Sequence, residues 1–271
     1  MIASAYNDPD TIIGAIFGTG CNAAYMEDVG SIPKLSGSNL PSDMPMAINC
    51  EYGAFDNSHR VLPSTKYDKQ IDADSPRPGE QAFEKLSAGL YLGEIFRLVL
   101  VDLHSRGVAL EGQDISKLSK PYAIDTAFLS AIEDDESSKL GQTHQTFQDM
   151  GIDLSEQELE LVRRLAELIA ARGARLCTCG VAAICHKKGI KKGHVAADGS
   201  VANKHPKFKK RWATALGEIL DWPEDRTEDP ILLTSAEDGS GVGAAVIAAM
   251  TLERAKKGVM YGIKDFEKIR S

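Results

Sequence analysis

Two widespread sequence signatures are missing from these 271 residues. The chain has no GxxxxGKS/T segment, which excludes the P-loop class of nucleotide-binding proteins, and no GxSxG segment, which excludes the usual serine-hydrolase elbow. Its five cysteines form no CxxC pair, and Cys177-Thr178-Cys179 is spaced too tightly for the usual zinc knuckle. We therefore expect no structural metal, and we interpret the cysteines as reduced, buried thiols of a cytosolic protein.

Long apolar runs and a dominant local charge are also scarce. The longest stretch of small apolar residues, Gly241 to Met250, is far shorter than the roughly 20 residues that span a bilayer, and no basic-then-apolar leader is seen, so we expect no membrane span. The net charge of -8 is spread along the chain, which argues against nucleic acid as a partner. Two lysine-rich segments, Lys187 to Lys192 and Lys204 to Arg211, could be a solvated face or a rim that faces phosphate.

Glycine-rich turns are the most informative feature that the chain does contain. Gly18-Thr19-Gly20-Cys21-Asn22 joins two apolar runs, and its backbone N–H groups and threonine hydroxyl suit it to hold a phosphate. Similar turns follow strand-like runs at Asp198-Gly199-Ser200 and from Glu237 to Gly243. Each could also be an ordinary tight turn or a site of close helix packing. Three such turns together indicate one nucleotide site.

The first turn also matches a GxGxxA dinucleotide-binding pattern, from Gly18 to Ala23. That pattern requires a helix after the turn, so that the helix N-terminus receives the pyrophosphate. Here the turn leads into Tyr25 to Val29, which is strand-like and precedes a proline-containing loop. The context therefore argues against a nicotinamide-dependent oxidoreductase.

Short links between the early strand candidates predict an antiparallel meander. These strands are Ile12 to Gly18, Asn22 to Val29 and Met46 to Glu51. Two later strands, His194 to Ala197 and Pro230 to Ser235, alternate with helices at 207–220 and 243–257. The order predicts an α/β fold, one lobe of the actin-like (ribonuclease H-like) ATPase type, with a mixed five-stranded sheet flanked by helices.

Between the two groups of strands, the pattern predicts a helical insertion. Apolar residues at helical spacing predict one long helix from Phe83 to Leu103, ended by Gly107. Ser155 and Glu158 form a capping box that starts a helix reaching Gly173, and a second helix follows from Ala174 to Lys188. We interpret the acidic segment Glu133 to Glu136 as a solvated loop.

Two carboxylates stand near predicted turns. Glu51 ends a strand among apolar residues, and Glu84 lies near the start of a helix. A carboxylate in apolar surroundings needs hydrogen-bond partners, and the hydroxyls of a polyol would serve. For Glu84, favourable interaction with the helix N-terminus is an alternative explanation.

Four segments, in order, resemble the hexokinase family, especially its fungal members, and the likeness runs over nearly the whole chain. They are Ile16 to Glu27, Asn49 to Phe55, Ser75 to Lys85 and Ala236 to Ala245. Hexokinases transfer the γ-phosphoryl group of MgATP to the 6-hydroxyl of glucose or a similar hexose, in a cleft between two lobes. The resemblance therefore implies ATP as cosubstrate, with magnesium held mainly by ATP, and a hexose as partner.

The resemblance also implies roles for individual residues. Sugar hydroxyls would be held by Asn22, Glu51 and Glu84, with Gln81 beside them. The positions on the nucleotide side would be Gly18, Thr19, Gly20, Thr126, Ser130, Asp198, Gly199, Gly239, Ser240 and Gly241.

Parts of the family pattern are absent from the sequence. The first phosphate loop, of the form LDLGGTN, is missing, as is the sugar-binding segment with its serine or threonine and lysine. The resemblance places the catalytic aspartate, in an asparagine-aspartate-threonine motif, upstream of Met1, so no catalytic residue is assigned here. We expect a partial large domain at 1–258 with a tail at 259–271, inactive without its N-terminal lobe. A non-catalytic, regulatory relative that binds sugar or nucleotide is the alternative.

Overall fold

A mixed five-stranded sheet forms the centre of the computed structural model, which describes residues 2–205, 207–236 and 239–259. The strands are β1 (Thr11–Phe17), β2 (Cys21–Asp28), β3 (Pro45–Asn49), β4 (Gly193–Asp198) and β5 (Ile231–Ser235). Their spatial order is β3-β2-β1-β4-β5, with β1, β2 and β3 antiparallel and β4 parallel to both β1 and β5. The predicted fold class is therefore confirmed.

The described residues form ten α-helices. They are α1 (Ile2–Asn7), α2 (Lys66–Asp74), α3 (Ala82–Ser87), α4 (Gly89–Ser105), α5 (Thr126–Glu133), α6 (Gly141–Asp149), α7 (Glu156–Lys188), α8 (Ser200–Lys204), α9 (Phe208–Ile219) and α10 (Gly239–Lys256). Helices α7 and α9 pack together beneath the sheet, while α1 contacts both β1 and α10. The predicted tail from residue 259 lies, apart from Val259, outside the described residues.

The hydrophobic core has two parts. Alternate residues of the strands, such as Ile13 and Val195, face α7 and α9 and are fully buried with Trp212. A second cluster, which includes Phe96 and Phe147, fills the space between α4, α5, α6 and the first half of α7. The predicted helical insertion therefore has a core of its own.

Helix α7 runs unbroken for 33 residues, so the predicted division at Gly173 was wrong. The capping box of Ser155 and Glu158 starts it, as predicted, and Gly189 ends it in the left-handed conformation. A side chain at Gly173 would lie 3.2 Å from Leu92, so the glycine allows α7 to pack closely on α4. This packing outweighs the roughly 1 kcal/mol that a helical glycine costs.

Among the described residues, α7 is the one helix that is long and apolar enough to cross a membrane. More than half of its apolar window is buried inside the protein, and the core helix of a soluble protein meets the same criteria. The sequence analysis singled out the shorter stretch from Gly241 to Met250 instead.

The predicted long helix from Phe83 to Leu103 is two helices, divided at Ala88. Ala88 is extended (φ -83°, ψ 151°), and its N–H caps the carbonyl of Glu84. The next N–H, that of Gly89, donates to the carbonyl of Gly18 at 2.7 Å. A bond to a distant turn therefore replaces one step of the helical ladder.

Two further expectations were wrong about burial. The acidic segment Glu133 to Glu136 is only half solvated: Asp134 and Glu136 are exposed, but Glu133 and Asp135 are buried. Arg211 donates to one Glu133 oxygen, and the hydroxyls of Ser137 and Thr143 donate to Asp135. All five cysteines are free thiols, but only three are buried: Cys179 is exposed and Cys50 is intermediate.

The ion pair of Asp68 and Arg172 should make stability depend on pH. Arg172 donates to both Asp68 oxygens, at 2.9 and 2.8 Å, and joins α2 to α7. Burial raises the pKa of Asp68, but the hydrogen bonds and charge of Arg172 lower it by more, so the folded value lies below 3.8. A lowered pKa contributes stability above the unfolded value, which is lost as pH falls through the folded value.

We expect Asp68→Asn to lower the free energy of unfolding by about 3 kcal/mol at pH 7. The difference from the unmodified chain should hold to about pH 5 and narrow at lower pH. Urea unfolding at several pH values measures both. Glu160→Gln, in an exposed pair on α7, is the control and should cost about 0.5 kcal/mol or less; a pH-independent cost at Asp68 would contradict the assignment.

Candidate functional site

The first glycine turn joins β1 to β2 as a tight hairpin. Phe17 pairs with Cys21, and the N–H of Gly18 donates to the carbonyl of Gly20 at 3.0 Å. Within the described residues, the N–H groups of Thr19 and Gly20 have no hydrogen-bond partner, and the Thr19 side chain is exposed. The turn therefore presents free donors, as an oxyanion site requires.

Three glycines bring separate segments into backbone contact at this turn. Gly199, which follows β4, has φ 113° and ψ 154°, and a Cβ there would lie 2.5 Å from the carbonyl oxygen of Phe17. A Cβ at Gly89 would lie 2.9 Å from the carbonyl oxygen of Gly18. The first and second glycine turns and the start of α4 can approach this closely only because side chains are absent.

A groove of about 410 Å³ opens beside this junction. Its walls include Thr19 from the first turn, Thr126 at the start of α5 and Ser200 at the start of α8. Thr126 Oγ1 donates to the carbonyl of Gly89 at 2.5 Å, and the Asp125 side chain caps α5 by accepting from Phe128. Residues over 180 positions apart in sequence therefore line one groove.

Glu51 is held in a network of amide side chains. Asn22 Nδ2 and Asn49 Nδ2 both donate to Glu51 Oε1, at 3.0 and 2.8 Å, and the Glu51 N–H donates to Asn22 Oδ1 at 2.8 Å. Glu51 Oε2 accepts no hydrogen bond from the described residues. The residue lies beyond the end of β3 in the left-handed conformation (φ 50°), so the predicted strand ends two residues too late.

Glu84 meets the first turn from the other side. Its Oε2 accepts from the backbone N–H of Cys21 at 3.0 Å, and a Cβ at Gly20 would lie 2.5 Å from the same oxygen. Gln81, the residue before α3, has the left-handed conformation (φ 55°), and a Cβ at Gly53 would lie 2.8 Å from its Oε1. The carboxylates of Glu51 and Glu84 therefore each have one oxygen held by protein donors and one oxygen available to a ligand, and both lie near the first glycine turn.

The sequence analysis missed three residues that support this arrangement. Asn49 orients Glu51 by a hydrogen bond. Its position two residues before Glu51, at the end of β3, is the sequence feature that could have identified it. Tyr52 directly follows Glu51, and Phe83 directly precedes Glu84. The rings of Tyr52 and Phe83 stack edge to face with centroids 5.4 Å apart. This aromatic contact fixes the spacing of the two carboxylate-bearing segments.

The third glycine turn is the first turn of α10, which begins at Gly239 rather than at the predicted Gly243. Gly239 lines a smaller hollow of about 140 Å³ together with Asp198, Asn22 and Asn49. Gly241 is exposed and is not among the lining residues. Glu237, Asp238 and the side chain of Ser240 lie outside the described residues.

Comparison with known proteins places the chain in a family. Residues 12–250 match the family described as hexokinase. The chain belongs to the hexokinase family. It is 60% identical over 268 residues to the hexokinase of Emericella nidulans and 54% identical over 267 residues to hexokinase-1 of Saccharomyces cerevisiae. The matches cover 98% and 97% of this chain, but 54% and 55% of those hexokinases, so the chain spans about half of their length.

Solved hexokinases agree with the fold. The hexokinase of Schistosoma mansoni, complexed with glucose, is 30% identical to this chain and superposes on it with a TM-score of 0.79. The match covers 92% of this chain and 55% of the Schistosoma mansoni hexokinase. A second hexokinase crystal structure has a TM-score of 0.72 and 26% identity over 88% of this chain, which spans 49% of that structure.

The structure groups most of the residues that the hexokinase resemblance implied. Asn22 and Glu51 share one network, Glu84 lies at the first turn, which touches Gly199, and Gln81 lies beside Gly53. Ser130 and Gly241 are exceptions, since neither is among the residues that line the groove or the smaller hollow, and the Ser130 hydroxyl donates to the carbonyl of Thr126. Asp198 and Gly239 line the smaller hollow instead of the groove. The roles of these residues stay predictions.

The thiol of Cys21 adjoins this site but is not activated as a nucleophile. Burial raises the pKa of its thiol to about 12, the nearby Glu84 adds to the increase, and the hydrogen bond with Ser87 only partly opposes it. The thiol therefore stays protonated at neutral pH.

One group in the described part of the chain has the composition of a metal site. Asp8, Asp10 and His194 lie together at the opposite end of β1 from the first glycine turn. His194 Nδ1 is 2.6 Å from Asp8 Oδ2, and the other Asp8 oxygen accepts from the Asp10 N–H. The hydrogen bond between His194 and Asp8 accounts for the group, and we assign no metal to it.

Proposed function

We propose that this chain forms the sugar- and nucleotide-binding half of an ATP-dependent hexokinase, which phosphorylates glucose or a related hexose at its 6-hydroxyl. The family membership supports the reaction class, and the solved complex of the Schistosoma mansoni relative with glucose supports the sugar. The five free thiols are consistent with a cytosolic location.

The pair of oriented carboxylates carries the proposal. Glu51 and Glu84 each engage one oxygen with donors of the protein and leave the other for a ligand. Carboxylates that are half satisfied accept strongly from hydroxyl groups, and two of them near one turn favour a polyol over a single alcohol. The left-handed backbone at Glu51 and Gln81 costs about 1 to 3 kcal/mol per residue, which is typical of binding sites.

The groove at Thr19 fits the phosphates of a nucleotide. The unpartnered N–H groups of Thr19 and Gly20 and the hydroxyl of Ser200 are donors, which phosphate oxygens require, whereas the Thr126 hydroxyl lines the groove but donates its proton to the carbonyl of Gly89. Gly239, Ser240 and Gly241 form the first turn of α10, which begins at the separate, smaller hollow, and the N-terminus of this helix favours negative charge. We propose that ATP supplies the phosphoryl group and that its magnesium is held mainly by the phosphates.

Removal of the proton from the sugar hydroxyl needs a base that this arrangement does not supply. The two carboxylates serve as acceptors that bind hydroxyls, and Asp198 Oδ1 accepts from the N–H of Gly199. Phosphoryl transfer depends mostly on positioning and charge stabilisation, and a base adds on the order of 10²- to 10⁴-fold. We propose that the base belongs to the remaining part of a full-length hexokinase.

The role of Glu51 can be tested in an extended protein, in which the amino-terminal part of the Emericella nidulans hexokinase precedes this chain. We expect Glu51→Gln to raise the KM for glucose about 10- to 100-fold, because it weakens a charge-assisted hydrogen bond. The KM for ATP should change by about threefold or less. Steady-state kinetics with each substrate varied in turn measures both constants.

Glu80→Gln is the matched control, since Glu80 lies in the same region with its side chain 56% exposed. It should leave both constants unchanged. Equal effects of Glu51→Gln on glucose and ATP would contradict the sugar assignment. An extended protein that binds both ligands without turnover would favour the regulatory alternative.

A further inference from the structure

Glu133 is a buried carboxylate that the proposed function leaves without a role. It is the last residue of α5, and 0% of its side chain is exposed. Arg211 Nη2 donates to Glu133 Oε2 at 2.6 Å. The His205 ring, only 4% exposed, lies 3.2 Å from Glu133 Oε1 but is not aligned for a hydrogen bond. This charged cluster therefore lies inside the protein.

A third basic residue meets the same end of α5. Lys207 Nζ donates to the backbone carbonyl of Glu133 at 2.9 Å. The last carbonyls of a helix lack intrahelical partners and carry partial negative charge, so an ammonium group stabilises them. Three basic side chains from the corner between α8 and α9, His205, Lys207 and Arg211, thus converge on one residue.

The ion pair constrains orientation more than it adds stability. Burial raises the pKa of the Glu133 carboxyl, but the contacts with His205 and Arg211 lower it by more, so the carboxyl is charged at neutral pH. Replacing a buried ion pair by apolar residues of similar volume is often neutral or stabilising. Apolar contacts are non-directional, whereas the bond from Arg211 requires one orientation of α5 relative to α9.

The elements joined at Glu133 also meet at the groove. Helix α5 begins with Thr126 and α8 begins with Ser200, and both residues line it. The eight residues of α5 span about 12 Å, so a tilt at its C-terminal end displaces Thr126. A displacement of about 1 Å among positioning groups can cost on the order of 10²-fold in rate.

We propose that Glu133 is a positioning residue for the nucleotide groove. Its side chain, bonded to Arg211, and its backbone carbonyl, bonded to Lys207, fasten the end of α5 to the corner between α8 and α9 and thereby fix the separation of Thr126 and Ser200. Glu133 does not itself touch ATP or sugar. The inference depends on the proposed function in one respect only, namely that the ligand of the groove is a nucleotide.

Hydrogen exchange of the 271-residue chain without ligand tests the link. Glu133→Gln keeps the size of the side chain and removes its charge. We expect amides of Thr126–Ser130 and Ser200–Lys204 to exchange about 10-fold faster, while those of α4 change by about twofold or less. The dissociation constant of ADP, measured by calorimetry, should rise about 10-fold.

Val162→Ala is the control for general destabilisation, because Val162 is buried in the helical core on α7. It should lower the thermal midpoint without selective loosening at Thr126 or Ser200. Uniformly faster exchange in Glu133→Gln, or unchanged exchange at the two groove segments, would overturn the proposal. An unmodified chain that binds no ADP would instead refute the proposed function, and the exchange comparison would still decide the link.

A milder pair of variants covers the case in which Glu133→Gln does not fold. Lys207→Met removes only the bond to the Glu133 carbonyl, and Lys210→Met alters an exposed lysine of the same corner. The first should speed exchange in Thr126–Ser130 about threefold, and the second should not. Identical exchange in both would contradict the proposal.

Discussion

The extended protein should phosphorylate glucose at least ~10⁴-fold faster than this chain alone. The 271 residues contain the proposed sugar carboxylates and nucleotide groove but no asparagine-aspartate-threonine motif. Loss of a base costs on the order of 10²- to 10⁴-fold, and loss of the groups that position the phosphates adds to it. A coupled assay of ADP release measures both proteins, with an expected turnover of ~1 to 10³ per second for the extended one.

The control is the extended protein with the aspartate of that motif changed to alanine. It should retain glucose binding but lose most of the turnover. Ordinary turnover by the 271-residue chain alone would contradict the proposal that its base lies elsewhere. An extended protein that folds, binds both ligands and remains inactive would contradict the hexokinase activity and favour the regulatory alternative.

Gly199→Ala should be among the most destabilising single substitutions, at about 4 kcal/mol. Its backbone (φ 113°, ψ 154°) lies in a region that costs a non-glycine residue about 1 to 3 kcal/mol. The new Cβ would also lie 2.5 Å from the Phe17 carbonyl oxygen, and relief of such overpacking typically costs a further ~1 to 3 kcal/mol. Urea unfolding measures the change in free energy.

Gly37→Ala separates the two causes. Gly37 also has a positive φ (84°), but a Cβ there would have no atom within 4 Å. It should therefore cost only about 1 kcal/mol. Equal costs at the two positions would show that the close contact between Gly199 and the first turn is unimportant for stability.

The sequence predicted the elements whose causes are local. The capping box at Ser155 starts α7 as predicted, and the short links of the first three strands produced the expected antiparallel order. Gly18 to Gly20 form the predicted hairpin because glycine is suited to so tight a turn.

The features that were missed depend on residues distant in sequence. The break at Ala88 follows from a bond between Gly89 and Gly18, and the burial of Glu133 follows from Arg211, 78 residues later. Periodicity within one segment does not contain such contacts. Asn49 is an intermediate case, since it ends β3 two residues before Glu51 and donates to it directly, but it also bonds to Asn22 on the neighbouring strand.

Helix α7 belongs to both halves of the hydrophobic core, with Val162 and Ile169 in the insertion and Val181 and Cys185 beneath the sheet. Such a rigid shared rod couples their melting, because neither half can lose its packing without exposing part of the same helix. The domain should consequently denature in one cooperative step, even though its buried residues form two separate clusters.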